Sequence, residues 1–448
     1  VAVLLLASVL AIPLGTFETG AAAGEAMPIW PMLDGDARHT GVSAFNASVV
    51  TPDVLWQMNP TGSALGLGIA QSSNAFPVIG ADGTVYVADC NGNVSAVSRD
   101  GMLIWSDSMG DRPYGTPAIA ADGTLYVALD DARTEPGGTA AVVCALDPNG
   151  TARWRSFVPG HMPDLTLAPD GTIYLTTFIG NDSFPLPSTL GTSLAAIDPN
   201  GTVQWTFLLP PDSRGPVSVR PDGIVLVVGG QNLTAVRANG SLAWRLPLER
   251  AYDCSRVTVT EDGTALFVRN GTLFSVAANG SVLWTRDMGL DYWSSPVIYD
   301  HGDIFLLPTN LSPYAGEVRA LKANGAINWT YPLQNRLTAA GGVMSANGLL
   351  IFLDGRSLSA ITRSGTLAWT TVFVFGSMTS GGLETPVIGP DGRIYVLVSG
   401  VNGSRLLVAL GHEIGGPISI LLVAFVMVIA VMVLAVVTMY VEKRRREM

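Results

Sequence analysis

Side chains able to do chemistry are few and scattered in this chain. Its three cysteines (Cys90, Cys144 and Cys254) and four histidines (His39, His161, His301 and His412) show no metal-ligand spacing. Asp34-Gly35-Asp36 offers carboxylates of the kind calcium takes, yet the further oxygen ligands of such a cage are missing. No nucleophile, base and acid stand at a recognisable spacing, so neither catalytic residue, metal nor cofactor is expected. The richest set is instead one for binding: Arg112, Tyr114, His161, Asp164, Asp212, Arg214, Tyr252, Asp253, Asp291, Tyr292, Trp293, Tyr331 and Arg336. Tyr, Trp, Arg and Asp in this mixture suit polar or carbohydrate-like ligands and protein partners alike. The alternative is that these side chains fold onto their own rim.

The elements that must position them are set by a repeat. Trp56, Trp105, Trp154, Trp205, Trp244, Trp284, Trp329 and Trp369 recur at near-regular intervals. Seven close the same phrase, as in "ALDPNGTARW" and "AVRANGSLAW". A period of about 40–50 residues signals a propeller, solenoid or array. Asp-Gly and Asn-Gly dipeptides recur between apolar runs, a hairpin signal that points to tight primed turns. Two such hairpins per unit, joined by a third connection, give four strands, which is a propeller blade. Inner strands begin near Pro77, Pro117, Leu165, Val217, Val257, Pro296, Gly342 and Pro386, which makes eight blades. The last unit stops after its third strand at Gly411, while Trp56 ends a lone strand, so the first strand should complete the last blade and close the ring. The fold expected is all-β, an eight-bladed propeller of four-stranded antiparallel blades, followed by one C-terminal transmembrane helix. One Trp per blade at a fixed place reads as packing, the ring filling the wedge between blades and its N–H bonded to backbone. Cys90 and Cys144 fall in neighbouring blades, which leaves a bridge between them open.

Both ends differ from the middle. Residues 1–26 resemble a signal peptide, apolar and then small, with an uncleaved membrane helix as the alternative. The propeller occupies 27–411 and a short linker 412–417. Residues 418–441 are uncharged and apolar, long enough at about 1.5 Å per residue to span a bilayer. Lys443-Arg444-Arg445-Arg446 follows within the tail 442–448, which places that tail in the cytoplasm and the propeller outside. A single-pass cell-membrane protein with an extracellular ectodomain is the expectation. Net charge is −11, a balance that repels nucleic acid. Twelve of the eighteen Asn head Asn-x-Ser/Thr sequons. Asn46, Asn93, Asn181, Asn232, Asn270, Asn328 and Asn402 are the candidate glycan acceptors. Asn149, Asn200, Asn239 and Asn279 sit in Asn-Gly turns, where the sequon is also simply turn chemistry.

Topology distinguishes two faces. The turns joining first to second and third to fourth strands lie on one face and are short in nearly every blade. Length variation gathers in the other connections, 129–140, 178–192, 307–316, 58–75 and 371–385, on the opposite face. Loops on a rigid scaffold are where binding usually lives. Because the third strand of blade eight ends on the short-turn face close to the apolar segment, that face should sit near the bilayer.

The phrase "ADGTVYVADCNGNVSAVSRDGMLIW" and its copies resemble the repeats of the pyrroloquinoline-quinone-like propeller superfamily, which includes quinoprotein alcohol dehydrogenases and the outer-membrane barrel-assembly lipoprotein. The opening Trp30–Gly41, "WPMLDGDARHTG", is similar to that of secreted members. The resemblance spans Trp30–Gly411 and, with this terminal layout, looks most like archaeal or bacterial surface proteins. It does not carry dehydrogenase activity over, because the adjacent cysteines, the calcium ligands and the Asp base of those enzymes have no counterpart. The reading is a non-enzymatic surface scaffold binding a partner protein, cell-wall polymer or glycan through its loop-rich face. An oxidoreductase or hydrolase with a site in the central funnel is the alternative.

Overall fold

The computed structural model describes residues 30–59, 76–88, 92–131, 140–179, 191–210, 213, 216–249, 254–289, 293–300, 302–308, 316–333, 341–354, 357–372, 385–399 and 405–412. The signal-like segment, the apolar span 418–441 and the basic tail lie outside these residues. Every regular element among the described residues is a β-strand, and none is a helix long and apolar enough to cross a membrane.

Eight antiparallel sheets form the eight blades of a propeller. Blades one to seven are each built from one stretch of chain. Blade eight joins Val387–Ile388, Ile394–Ser399 and Arg405–Gly411 to Asp53–Met58 as its outer strand. Asp53 faces Gly411 and Met58 faces Leu407, so the ring closes by pairing the two ends of the domain. In blade two the inner strand comes in two pieces, Arg112–Pro113 and Ala118–Ile119, both paired with Leu125–Asp131. Blades three to six repeat this extension as short pairings at His161, Ser213, Cys254 and Trp293.

The short turns differ from the primed pairs that the dipeptides suggest. In blade one Gly80 N–H donates to Thr84 O and Gly83 N–H to Gly80 O. Gly83 takes φ of +84° while Asp82 stays out of that region. This is a three-residue loop, a type I turn closed by a left-handed Gly. The Asp82 carboxylate accepts from Thr84 N–H and Oγ1, which explains why Thr or Ser so often follows the Gly. Asn149, Asn200, Asn239 and Asn279 cap their turns in the same way, so their sequons double as turn chemistry. A primed pair does occur on the other face, where Asn270 and Gly271 have φ of +45° and +66°.

Each outer strand carries a register shift just before its Trp, so the preceding residue is the extra one of a β-bulge. The bulge turns the indole onto the next blade. Trp205 Nε1–H donates to Ala238 O at 2.8 Å, and a Cβ on Gly240 would lie 2.7 Å from its ring. The same partnership joins Trp56 to Gly101, Trp105 to Gly150, Trp154 to Gly201, Trp244 to Gly280, Trp284 to Gly325 and Trp329 to Gly365. The repeated Gly therefore serves twice, as the left-handed turn residue and as the flat seat for the neighbour's indole. Trp369 finds no such Gly, because blade eight has no turn between its third and fourth strands. Its Nε1–H donates instead to Ser48 O, and it is the most enclosed of the eight at 3% exposure.

Candidate functional site

The axis of the ring is filled at its short-turn end by the chain's own entry segment. Trp30 exchanges both backbone hydrogen bonds with Ile79 of blade one, and Pro31 O accepts from Ile119 N–H of blade two. Ala37, Arg38 and Thr40 carbonyls accept from Val219, Val259 and Ile298 of blades four, five and six. Gly41 and Ser43 bracket Met344 of blade seven. Residues 30–45 thus stitch six inner strands together just above their turns. No periodic pattern marks such a segment, since its groups pair with six strands in turn.

The charges of this segment are consumed internally. Asp36 accepts from the N–H groups of Arg38 and Thr40 and from Thr40 Oγ1. Asp34 is buried and takes Arg256 in a two-point pair, Nε–Oδ2 at 2.9 Å and Nη2–Oδ1 at 3.3 Å. His39 is buried too, with Nδ1 3.1 Å from Leu33 O and Nε2 2.9 Å from Val217 O. Asp164, paired with Thr176 in the inner strand of blade three, feels the charge of Arg256. Burial pushes its carboxyl up to about 7, with Arg256 pulling the other way. Across the eight inner strands the equivalent positions are Phe76, Thr116, Asp164, Pro216, Arg256, Ser295, Gly341 and Thr385, and the two charged ones are of opposite sign. Aligning the repeats by register would have singled out Arg256, which sequence reasoning missed.

Among the described residues no group of three or more His, Cys, Asp or Glu side chains could hold a metal ion. The cavity between Asp34, His39, Arg256 and Pro296 has a volume of about 10 Å³, room for one water at most.

The sequence-selected binding residues separate into three groups. Tyr114, His161 and Asp164 stand at the inner strands of blades two and three, and a Cβ on Gly115 would meet Asp164 Oδ1 at 2.9 Å. Arg112 lies in the extension of the inner strand, opposite Asp130. Trp293 is not on the surface: it is 5% exposed, packed among Leu266, Met288 and Ile304 with the Arg319 guanidinium 4.8 Å over its ring. The cause is its pairing with Pro308, which extends the inner strand and turns the indole inward. His161 is buried for the same reason, paired with Phe178, whose ring is tilted 40° from its own at 6.0 Å between centroids. Tyr331 belongs to the outer strand of blade six, with its hydroxyl pushed up by burial. Asp212, Arg214, Tyr252, Asp253, Asp291, Tyr292 and Arg336 lie outside the described residues, as do Asn181 and Asn402. Of the other candidate glycan acceptors, Asn46, Asn270 and Asn328 are exposed, and Asn93 and Asn232 are half-buried.

The loop-rich face is lopsided. Blades four and five close their second and third strands with two-residue turns, at Gly229–Asn232 and Arg269–Thr272. Blades two and three instead have strands of seven and eight residues that carry the long connections 132–139 and 180–190. Beside them the outer strands expose Phe157 at 60% and Leu208 at 65%.

A family profile described as "Outer membrane protein assembly factor BamB" matches residues 38–183 and 191–340, the greater part of the chain. The chain belongs to the BamB family of PQQ-like propellers. Among solved structures it is similar to BamB from Moraxella catarrhalis, at 15% identity and a TM-score of 0.55, covering 82% of this chain and 99% of that one. It is also similar to a streptogramin B lyase, at 12% identity and a TM-score of 0.44, over 79% and 97% of the two chains. No curated protein sequence matches. At such identities the BamB structure speaks for the fold alone.

The quinone in the superfamily's name does not fit the described axis of this BamB-family propeller. At its short-turn end the entry segment closes it, and the cavity there, of about 10 Å³, is far smaller than a tricyclic quinone. Cys144, moreover, is a free thiol buried in the core between blades, and burial raises its pKa.

Proposed function

We propose that this chain is a non-enzymatic, membrane-anchored surface scaffold of the BamB family that binds a partner protein on the loop-rich side of blades two and three. The observation that carries the reading is the asymmetry of that side. Two neighbouring blades combine lengthened strands, long connections and large apolar side chains, Phe157 and Leu208, left open to solvent. Exposed apolar groups rimmed by polar ones are what a partner site presents. Family membership supports a protein-binding role, because the family is described by its work in an assembly. Anchoring rests on the sequence, the apolar run 418–441 followed by Lys443–Arg446.

The test is cross-linking of the intact protein in its own membrane, comparing the wild type with Phe157→Asp/Leu208→Asp. Loss of one discrete cross-linked species with unchanged thermal stability is expected. A species that persists in the double variant, or catalytic turnover by the purified protein, would sink the reading.

A further inference from the structure

Exposed aliphatic side chains also stand on the short-turn side around blade eight, in its entry link and, across the seam, at the adjoining turn and outer strand of blade one. Val49 is 67% exposed, Val50 56%, Met102 67% and Ile104 54%. The first two lie in the link that leads into the outer strand of blade eight. The other two lie at the turn and outer strand of blade one. Trp56 joins the halves: its ring lies on Gly101, next to Met102, and its Nε1–H donates to Arg99 O at 2.9 Å. At the turn position of Met102 the other blades carry Thr151, Thr202, Ser241, Ser281, Ala326 and Thr366. The repeat does not need a Met there.

A second observation fixes what the seam faces. His412, where the described chain leaves blade eight, has Nε2 2.8 Å from Ser48 Oγ and Nδ1 3.9 Å from Asp53 Oδ2. The chain therefore departs beside Val49 and Val50. Residues 413–417 separate it from the apolar run at Ile418, a tether of at most about 20 Å.

We infer that this seam is a lipid-contact surface, on which Val49, Val50, Met102 and Ile104 rest against the outer boundary of the bilayer while the loop-rich face is held away from it. The inference rests on the anchored reading above. The four side chains are aliphatic, and the Arg at their edge, Arg99, is 60% exposed and lies 3.8 Å from the Asp100 carboxylate. The patch is small, and a short tether makes a small patch sufficient, since the effective concentration of bilayer at the seam is already high. Aliphatic side chains at the acyl–headgroup boundary need no specific partner geometry.

The test uses the full chain reconstituted into phosphatidylcholine vesicles containing a nitroxide-labelled lipid. An environment-sensitive fluorophore is placed through Val50→Cys, Met102→Cys or, for reference, Leu208→Cys, in a Cys90→Ser/Cys254→Ser background. Quenching at positions 50 and 102 should exceed that at 208 by about threefold or more, with blue-shifted emission. Equal quenching at all three positions, in protein that floats with the vesicles, would overturn the inference and leave the anchor standing. Protein that does not float would remove the anchored reading and this inference together. A label at Ile104→Cys in a Val50→Asp/Met102→Asp background should lose its quenching, and quenching that persists there counts against lipid contact.

Discussion

The two faces of this propeller are built on opposite terms. On the short-turn side the repeated positions have fixed partners: Asp or Asn caps its own turn, Gly seats a neighbour's indole, and the entry segment bonds to one blade after another. On the loop-rich side the inner strands of blades two to six are prolonged, yet the connections vary from two residues, 230–231, to nineteen, 59–77. Regularity on one face fixes the ring, and this leaves the other face open to change without loss of the fold. Binding is therefore sought where the repeat relaxes.

Substitutions should reproduce that division. Trp369→Ala removes a fully packed indole and its bond to Ser48 O, at the one junction with no Gly seat. A loss of about 3–5 kcal/mol is expected, read as the largest fall in thermal midpoint of any single outer-strand change. Gly240→Ala should cost roughly 2–3 kcal/mol. The new methyl meets the Trp205 ring, and φ of +82° strains any L residue. Asp164 gives the contrast a pH signature. Its folded carboxyl sits near 7, above the unfolded 3.8, so the folded state holds a proton that the unfolded chain has released. Stability should decline from about pH 4 to pH 7 and level off above, by on the order of 1–2 kcal/mol because water still reaches the group. Asp164→Asn should flatten that slope in a thermal scan across pH. Leu208→Ser, on the open face, should shift stability by no more than about 0.5 kcal/mol. A large destabilisation by Leu208→Ser would end the contrast between the faces.

How much of this was legible follows from what repeats. Eight blades, their closure by Asp53–Met58 and the Trp phrase all recur, and recurrence is visible in one sequence. The bulge before each Trp was not visible, because an extra residue in a strand leaves the period unchanged. Trp293 looked free for binding because it lies outside the series. Its pairing with Pro308 is a non-local fact that no neighbouring residue announces. Asp34 likewise looked like half of a calcium loop, until Arg256, more than two hundred residues away, was placed against it. Resemblance marked Trp30–Gly41 as belonging to the family but gave no hint that the segment crosses the axis.

That crossing orders events in time. Ser48 meets Trp369 across 321 residues of chain, and Ala47 meets Asn347 across 300. During synthesis the N-terminal end emerges first, yet its partners in blades four to eight come last. Blade one can assemble early, whereas the first strand must wait with an unpaired edge until the final one is made. Contacts of such sequence separation form slowly. The drawstring that gives the finished ring its rigidity is therefore also its last step, and the interval before it tightens is when this protein is most exposed to aggregation.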